Sequence, residues 1–157
     1  MNQIREDEII FLDFIKQVIK NNISKIPNDN FKVYLSTDDE DTKESFDLVY
    51  ANKFEVSVRI RNNRYIRYSD FTIRSVSKYG GKTEKQKLIE GKGNIYFYGW
   101  KNKENTQIIK WLLVDINKIR DKLAKKSKNI RNGDGTCFCA YSIEWLNYYE
   151  SILASEL

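Results

Sequence analysis

The sequence predicts a mixed α/β domain built on a single central mixed sheet that is flanked by helices. Three observations support this class: an amphipathic helical pattern opens the chain, several short segments alternate between apolar and polar residues, and further helical stretches interrupt and follow those segments. No linker or repeat divides the 157 residues, so residues 1–157 are expected to form one domain with its own core.

The first helix is expected from about Glu6 to Asn21, where apolar residues recur every three or four positions. Pro27 and its polar neighbours should end it. Two short strands are predicted next, at Phe31–Leu35 and Phe46–Tyr50, with an acidic loop between them.

The strand predicted at Phe54–Arg61 has the clearest alternation in the chain. Its apolar residues, Val56, Val58 and Ile60, should point into the core. The opposite face carries Glu55, Ser57, Arg59 and Arg61. A tight turn at residues 51–53 would pair this strand with the one before it.

The second half of the chain predicts four strands and three helices. Thr83 is a candidate N-cap for the first of these helices, and Asn132–Gly135 has the composition of a turn. The predicted strands are Arg67–Val76, Asn94–Trp100, Gln107–Val114 and Thr136–Ser142. The predicted helices are Lys82–Glu90, Ile116–Ala124 and a C-terminal amphipathic helix that carries Trp145, Leu146, Tyr149, Ile152 and Leu153.

Charge is strongly segregated along the chain, although the net charge is only +5. Residues 37–47 hold six acids and one base, residues 59–92 hold ten bases and three acids, and residues 118–131 hold seven bases and one acid. Such segregation attracts polyanions, so nucleic acid is the expected partner, with DNA favoured over RNA. An acidic protein is the alternative partner, and the run at 118–131 is equally well explained as a solvated helix face and loop.

Several classes of function are excluded by composition. The chain has no histidine, which excludes zinc clusters of histidine and cysteine, Cys–His dyads and histidine-based triads. The segment Gly80–Thr83 lacks the upstream glycine of a Walker phosphate loop. The N-terminal segment has no uninterrupted apolar core and no apolar run reaches about 18 residues, so we expect a cytoplasmic protein without a membrane partner. The oligomeric state is left open.

An acidic residue begins the polar face of each strand in the predicted hairpin: Asp47 in the first and Glu55 in the second. With the order helix, strands, helix, strand, this pattern resembles the PD-(D/E)XK nuclease superfamily over about residues 5–115. The resemblance implies a restriction-endonuclease-like αβββαβ core and metal-dependent cleavage of DNA. It also implies that Asp47 and Glu55 hold Mg²⁺ or Mn²⁺, which would polarise the scissile phosphate.

One position departs from that pattern. The place of the lysine is taken by Ser57, and Arg59 lies two residues further along the same face, roughly 6–7 Å away by strand rise. Arginine binds phosphate well but transfers protons poorly. Phosphate binding is therefore better supported than phosphate cleavage, and enzymatic activity is left open.

The next strand offers a second polar set, Asp70, Thr72 and Arg74, and the stretch from Asp70 to Gly99 resembles small, nuclease-like proteins of bacteriophage type. If this strand lies beside the Glu55 strand, an acidic set and a basic set would form one mixed cluster, of a kind that suits a metal and phosphate site. The acids are Glu55, Asp70 and Glu84, and the bases are Arg59, Arg61 and Arg74. The candidate catalytic residues are thus Asp47, Glu55, Arg59 and Asp70. The candidate nucleic-acid-binding residues are Arg61, Arg64, Arg67, Arg74, Lys78 and Lys82.

Three interpretations of this cluster stay open. The first is a metal-dependent nuclease site. The second is a noncatalytic surface that binds nucleic acid, or that binds the partner of a phage-encoded inhibitor. The third is a set of cross-strand ion pairs on a solvated face. Tyr65, Tyr68 and Tyr79 lie among the bases, as base-stacking residues would.

Overall fold

The computed structural model describes residues 3–23, 31–34, 46–50, 54–125 and 128–157. The predicted acidic loop before residue 46, the turn at 51–53 and Pro27 lie outside these ranges. The helices are α1 (Gln3–Asn22), α2 (Glu84–Ile89), α3 (Ile116–Lys125) and α4 (Ile143–Tyr148). The strands are β1 (Phe31–Tyr34), β2 (Phe46–Tyr50), β3 (Phe54–Arg61), β4 (Asp70–Val76), β5 (Ile95–Lys101), β6 (Ile108–Asp115), β7 (Ile130–Arg131), β8 (Cys137–Ser142) and β9 (Ile152–Glu156).

The central sheet has the strand order β1-β2-β3-β5-β6-β9. Strands β3 and β5 run parallel, and the other neighbouring pairs in this sheet are antiparallel. Helix α2 lies in the connection between β3 and β5, as a parallel pair requires a crossover. The prediction of a mixed α/β chain with a central mixed sheet is confirmed.

The expectation of one sheet is wrong, because β4 belongs to a second sheet with the order β4-β8-β7. Strand β4 therefore does not lie beside β3, where the mixed cluster was predicted to form. The place next to β3 is taken by β5, while β4 pairs antiparallel with β8 and sets Phe71 opposite Tyr141. Both of these aromatic residues are fully buried, so the second sheet has its own apolar face to cover.

Two hydrophobic cores cover the two faces of the central sheet. On one face, α1 packs with Phe11 and Ile15 against Val56 and Val58, which are each 1% exposed. The predicted inward face of β3 is thus confirmed. On the other face, the residues from the central sheet include Tyr96, Tyr98 and Trp100, and those from the second sheet include Phe71, Ile73 and Tyr141.

This second core changes the surroundings of the polar face of β3. Ser57, Arg59 and Arg61 pair with Tyr96, Tyr98 and Trp100 of β5, which lie in the core between the sheets. The polar residues of β3 therefore lie on the face that the second sheet covers, at its margin, rather than on an open solvated surface.

The C-terminal prediction of one amphipathic helix is also wrong. Helix α4 ends at Tyr148, and Glu150 adopts a positive φ of 51°, which breaks the helical path. Residues Ile152–Glu156 then form β9, which pairs with β6. The apolar residues of this segment have helical spacing, which is why a helix was predicted. The segment instead forms backbone hydrogen bonds along the edge of β6 that β5 leaves open, and this pairing overrides the local helical pattern. No helix in the described ranges is long and apolar enough to cross a membrane.

Candidate functional site

Glu55, one of the two predicted metal ligands, holds the loop that follows α2. Its Oε2 accepts a hydrogen bond from the backbone N–H of Gly93 at 2.9 Å. The two segments are joined again by Asn94, whose N–H donates to the Glu55 carbonyl at 2.8 Å and whose Oδ1 accepts from the Glu55 N–H at 3.2 Å. One carboxylate oxygen of Glu55 therefore already has a structural partner.

The backbone register relates Asp47 to this residue. Asp47 pairs with Ser57, and Val49 pairs with Glu55, so the two predicted ligands are diagonal neighbours on adjacent antiparallel strands. Diagonal positions of this kind are typically about 7–8 Å apart. The predicted pairing of these two strands as a hairpin is confirmed.

Ser57, which replaces the lysine of the nuclease pattern, is enclosed by the same loop. A Cβ built on Gly93 would lie 2.9 Å from Ser57 Oγ and 3.1 Å from Leu88 Cδ2, and Gly93 adopts a φ of +76° that glycine tolerates best. Ser57 itself is nearly buried. A side chain as long as lysine at position 57 would have to displace the loop.

Arg59 is bound to the second sheet and to α2. Its Nη1 donates to the Thr72 carbonyl at 3.1 Å and lies 3.2 Å from Glu84 Oε2. Glu84 lies in the first turn of α2, which Thr83 caps as predicted. The same Oε2 accepts from the backbone N–H of Arg74 at 2.9 Å, and Oε1 accepts a hydrogen bond from the Tyr96 hydroxyl.

This network keeps the Tyr96 phenol protonated. Burial raises the pKa of Tyr96 well above its ordinary value, and the nearby Glu84 carboxylate raises it further. Burial likewise raises the pKa of Tyr98, whose hydroxyl lies 2.7 Å from Thr72 Oγ1. Polar contacts thus connect β5 and α2 to β4, and the one between Tyr98 and Thr72 is buried in the core.

Arg61 and Asp70 form the second connection between the sheets. Arg61 Nη1 lies 3.2 Å from Asp70 Oδ1, and both side chains are mostly buried. The predicted meeting of acids and arginines therefore occurs in part, across two sheets: Asp70 pairs with Arg61 and Glu84 with Arg59, while Glu55 bonds to Gly93. Within the described ranges, no three acids or cysteines gather as a metal cluster would require.

A groove of about 860 Å³ opens where Arg61 ends β3 and Lys101 ends the parallel strand β5. The carboxyl ends of parallel strands are common places for ligands. Of the described side chains that line it, five are basic and two are acidic. The basic ones are Arg59, Arg61, Arg64, Arg74 and Lys101, and the acidic ones are Asp70 and Asp134.

Two tyrosines line the same groove next to arginines. The guanidinium carbons of Arg61 and Arg64 lie 4.5 and 4.7 Å from the centre of the Tyr65 ring. Arg67 lies 4.9 Å from the Tyr68 ring and donates to its hydroxyl at 2.9 Å. Tyr68 is nevertheless 46% exposed, so part of its surface faces solvent.

The turn between β7 and β8 also lines the groove, and its turn composition was predicted. Asp134 Oδ1 accepts from the backbone N–H and the hydroxyl of Thr136 at 3.0 and 2.7 Å, and Gly135 adopts a φ of +91°. These hydrogen bonds, chiefly the one from the Thr136 backbone, lower the pKa of Asp134. The carboxylate is therefore charged at neutral pH.

The remaining predicted bases have other surroundings. Lys78 lies 5.5 Å from the ring of Tyr79, and Lys82 forms an exposed ion pair with Glu90 at 2.7 Å. Neither lysine is among the residues that line the groove. Sequence reasoning missed Lys101 as a site residue, although its place at the end of a strand that follows a helical crossover was a usable signal.

Comparison of the chain with protein-family models, with curated proteins and with solved structures finds no significant match.

Proposed function

We propose that this protein binds nucleic acid, DNA in preference to RNA, in the groove at the ends of β3 and β5. The observation that carries the proposal is the lining of five basic side chains against two acidic ones, with two tyrosines among them. Basic side chains supply phosphate contacts, and aromatic rings supply stacking surfaces for bases.

The ion pairs within the groove support this role. Asp70 takes a hydrogen bond from one nitrogen of Arg61, whereas a guanidinium has five N–H donors in a planar fork. An arginine that is held on one side by a carboxylate is oriented before a phosphate arrives, so less side-chain entropy is lost on binding.

The test is fluorescence anisotropy of a labelled oligonucleotide at several salt concentrations, comparing wild type with Arg64→Ala. Log K should fall linearly with log [salt], with a slope of about −0.7 to −0.9 for each phosphate contact. Arg64 is exposed and lines the groove, so its removal should make the slope shallower by about one contact.

Lys82→Ala is the matched control, because it removes one positive charge outside the groove. Equal weakening by both variants would mean that net charge alone attracts the probe. Undetectable binding at low ionic strength would refute the proposal.

A metal-dependent nuclease is the second candidate, favoured by the register that sets Asp47 diagonal to Glu55 and by the α2 crossover from β3 to its parallel neighbour β5. Asp47 and Glu55 would hold Mg²⁺ or Mn²⁺, whose preferred oxygen ligands they offer, and the metal would supply Lewis-acid activation of the phosphate. Arg59 would neutralise charge on the phosphate. Asp70 would lie outside this site, because its partner Arg61 is roughly 20 Å from Glu55 by strand rise.

This candidate predicts that plasmid is cut in magnesium or manganese and that Glu55→Ala abolishes cutting. Millimolar metal should also raise the melting temperature of the wild type, since a metal that binds only the folded state stabilises it. Asp47→Asn should remove that shift. An intact plasmid together with an unchanged melting temperature would exclude a two-carboxylate site.

A further inference from the structure

We infer that the groove takes a single strand of nucleic acid rather than a duplex, an inference that rests on the proposed nucleic-acid binding. The first reason is size. A volume of about 860 Å³ is that of a pocket which encloses a small ligand, roughly 300–1,000 Å³. Proteins that read duplex DNA usually insert a protruding helix or ribbon into a groove about 12 Å wide.

The second reason is that two of the arginine side chains in the groove are mostly buried. The side chains of Arg59 and Arg61 are each only 14% exposed, and both line the groove. Phosphates on a rigid duplex reach side chains that stand out from a surface. A single strand is narrow and flexible, so its phosphates can approach guanidinium groups that lie at the margin of a core.

The third reason is Tyr68, which offers an aromatic surface where the strand would enter. Tyr68 is 46% exposed as a residue, and Arg67 lies 4.9 Å from the centre of its ring. Bases in a duplex are stacked on one another, whereas those of a single strand are free to stack on tyrosine and on arginine planes. We therefore assign Tyr68 as a stacking platform for a base.

The experiment compares a labelled decathymidylate with a hairpin duplex that carries the same number of phosphates, in anisotropy titrations at one low salt concentration. The single strand should bind at least tenfold more tightly. Tyr68→Ala should weaken that binding on the order of tenfold, and Tyr68→Trp should restore it, because indole also stacks on bases.

Tyr79→Ala is the matched control, since Tyr79 is 68% exposed and has Lys78 over its ring but does not line the groove. It should change the affinity by less than about twofold. Unchanged melting temperatures would show that each variant folds.

Three results would overturn the inference, and they differ in whether nucleic-acid binding itself is also refuted. Duplex binding as tight as single-strand binding, weakened by Arg64→Ala but not by Tyr68→Ala, would remove the single-strand assignment and keep nucleic-acid binding. Displacement of the probe by polyglutamate of equal charge would indicate an acidic protein partner. Failure of both nucleic acids to bind would remove the proposed function as well.

Discussion

Glu84 Oε2 lies 3.2 Å from Arg59 Nη1, and this ion pair joins helix α2 to strand β3. The same carboxylate accepts hydrogen bonds from the backbone of Arg74 and from the hydroxyl of Tyr96. One side chain thus connects both sheets and the crossover helix, and it fixes an arginine that lines the groove.

We predict that Glu84→Ala lowers the free energy of unfolding by about 2–4 kcal/mol, because it removes the carboxylate that pairs with the mostly buried Arg59 and that accepts from the buried Tyr96 phenol. Urea denaturation followed by circular dichroism measures the change. Glu90→Ala is the control, since its ion pair with Lys82 is exposed and should contribute less than about 1 kcal/mol. Similar losses in the two variants would contradict the role given to Glu84.

The raised pKa of Tyr96 predicts a loss of stability in alkali. Because the folded-state pKa lies above the unfolded value near 10, the folded chain holds its phenolic proton more tightly. This contribution is complete below about pH 10 and is lost as pH rises toward the folded-state pKa. The free energy of unfolding should therefore fall above pH 10.

Tyr96→Phe should make that fall shallower, although the variant starts from a lower stability because Glu84 loses a donor. Urea titrations between pH 8 and 11.5 compare the two proteins. Tyr148→Phe is the control, because Tyr148 is 79% exposed. If Tyr96→Phe and Tyr148→Phe show the same dependence of stability on pH, the alkaline loss of stability does not come from Tyr96.

The close approach of Gly93 to Ser57 predicts a steep cost for a methyl group at position 93. Gly93→Ala should lose about 2–3 kcal/mol of stability, from strain at positive φ and from contact with Ser57 and Leu88. Gly91→Ala should lose only about 1 kcal/mol, since φ is also positive there but nothing lies within 4 Å of the added carbon.

A double-mutant cycle separates the contact from the strain. Ser57→Gly should recover part of the loss caused by Gly93→Ala, because it removes the hydroxyl that the new methyl group meets. If the stability changes of the two single variants simply add in the double variant, the methyl group at position 93 does not clash with Ser57.

The position of Asp134 in the groove predicts that removal of its charge strengthens oligonucleotide binding. Its carboxylate is charged at neutral pH and lines the basic groove, so it repels phosphate. Asp134→Asn keeps an oxygen that accepts from Thr136 and should tighten oligonucleotide binding at low salt by about 1.5- to fivefold. Anisotropy titration measures this change, and Asp121→Asn on α3, outside the groove lining, is the control. Weaker binding by Asp134→Asn would place the phosphate elsewhere.

Local patterns in the sequence predicted the local structure well. The alternation in β3, the helix capped by Thr83 and the turn around Gly135 all depend on residues close in sequence, and the structure has each of them. The sheet that β4 joins and the strand at Ile152–Glu156 depend instead on distant partners, β8 and β6. Such pairing is decided by which buried faces fit together, which one sequence does not reveal.

The same distinction between local pattern and distant contact applies to the candidate site. Arg61 and Arg74 were predicted as nucleic-acid contacts from the excess of bases in residues 59–92, and both line the groove. Lys101 and Asp134 come from other elements, and only the tertiary fold brings them there. Glu55 was grouped with the arginines from its place on β3, yet its carboxylate bonds to Gly93 near the other end of that strand.

An NMR titration of the ¹⁵N-labelled protein with decathymidylate at low salt tests most directly whether nucleic acid binds in this groove. We predict that the largest amide shifts lie at Arg61, Arg64, Tyr65, Tyr68 and Asp134, with small shifts at Gly93 and Tyr79. Shifts concentrated at Gly93 and the start of β3, or no shifts while the oligonucleotide is in excess, would contradict it.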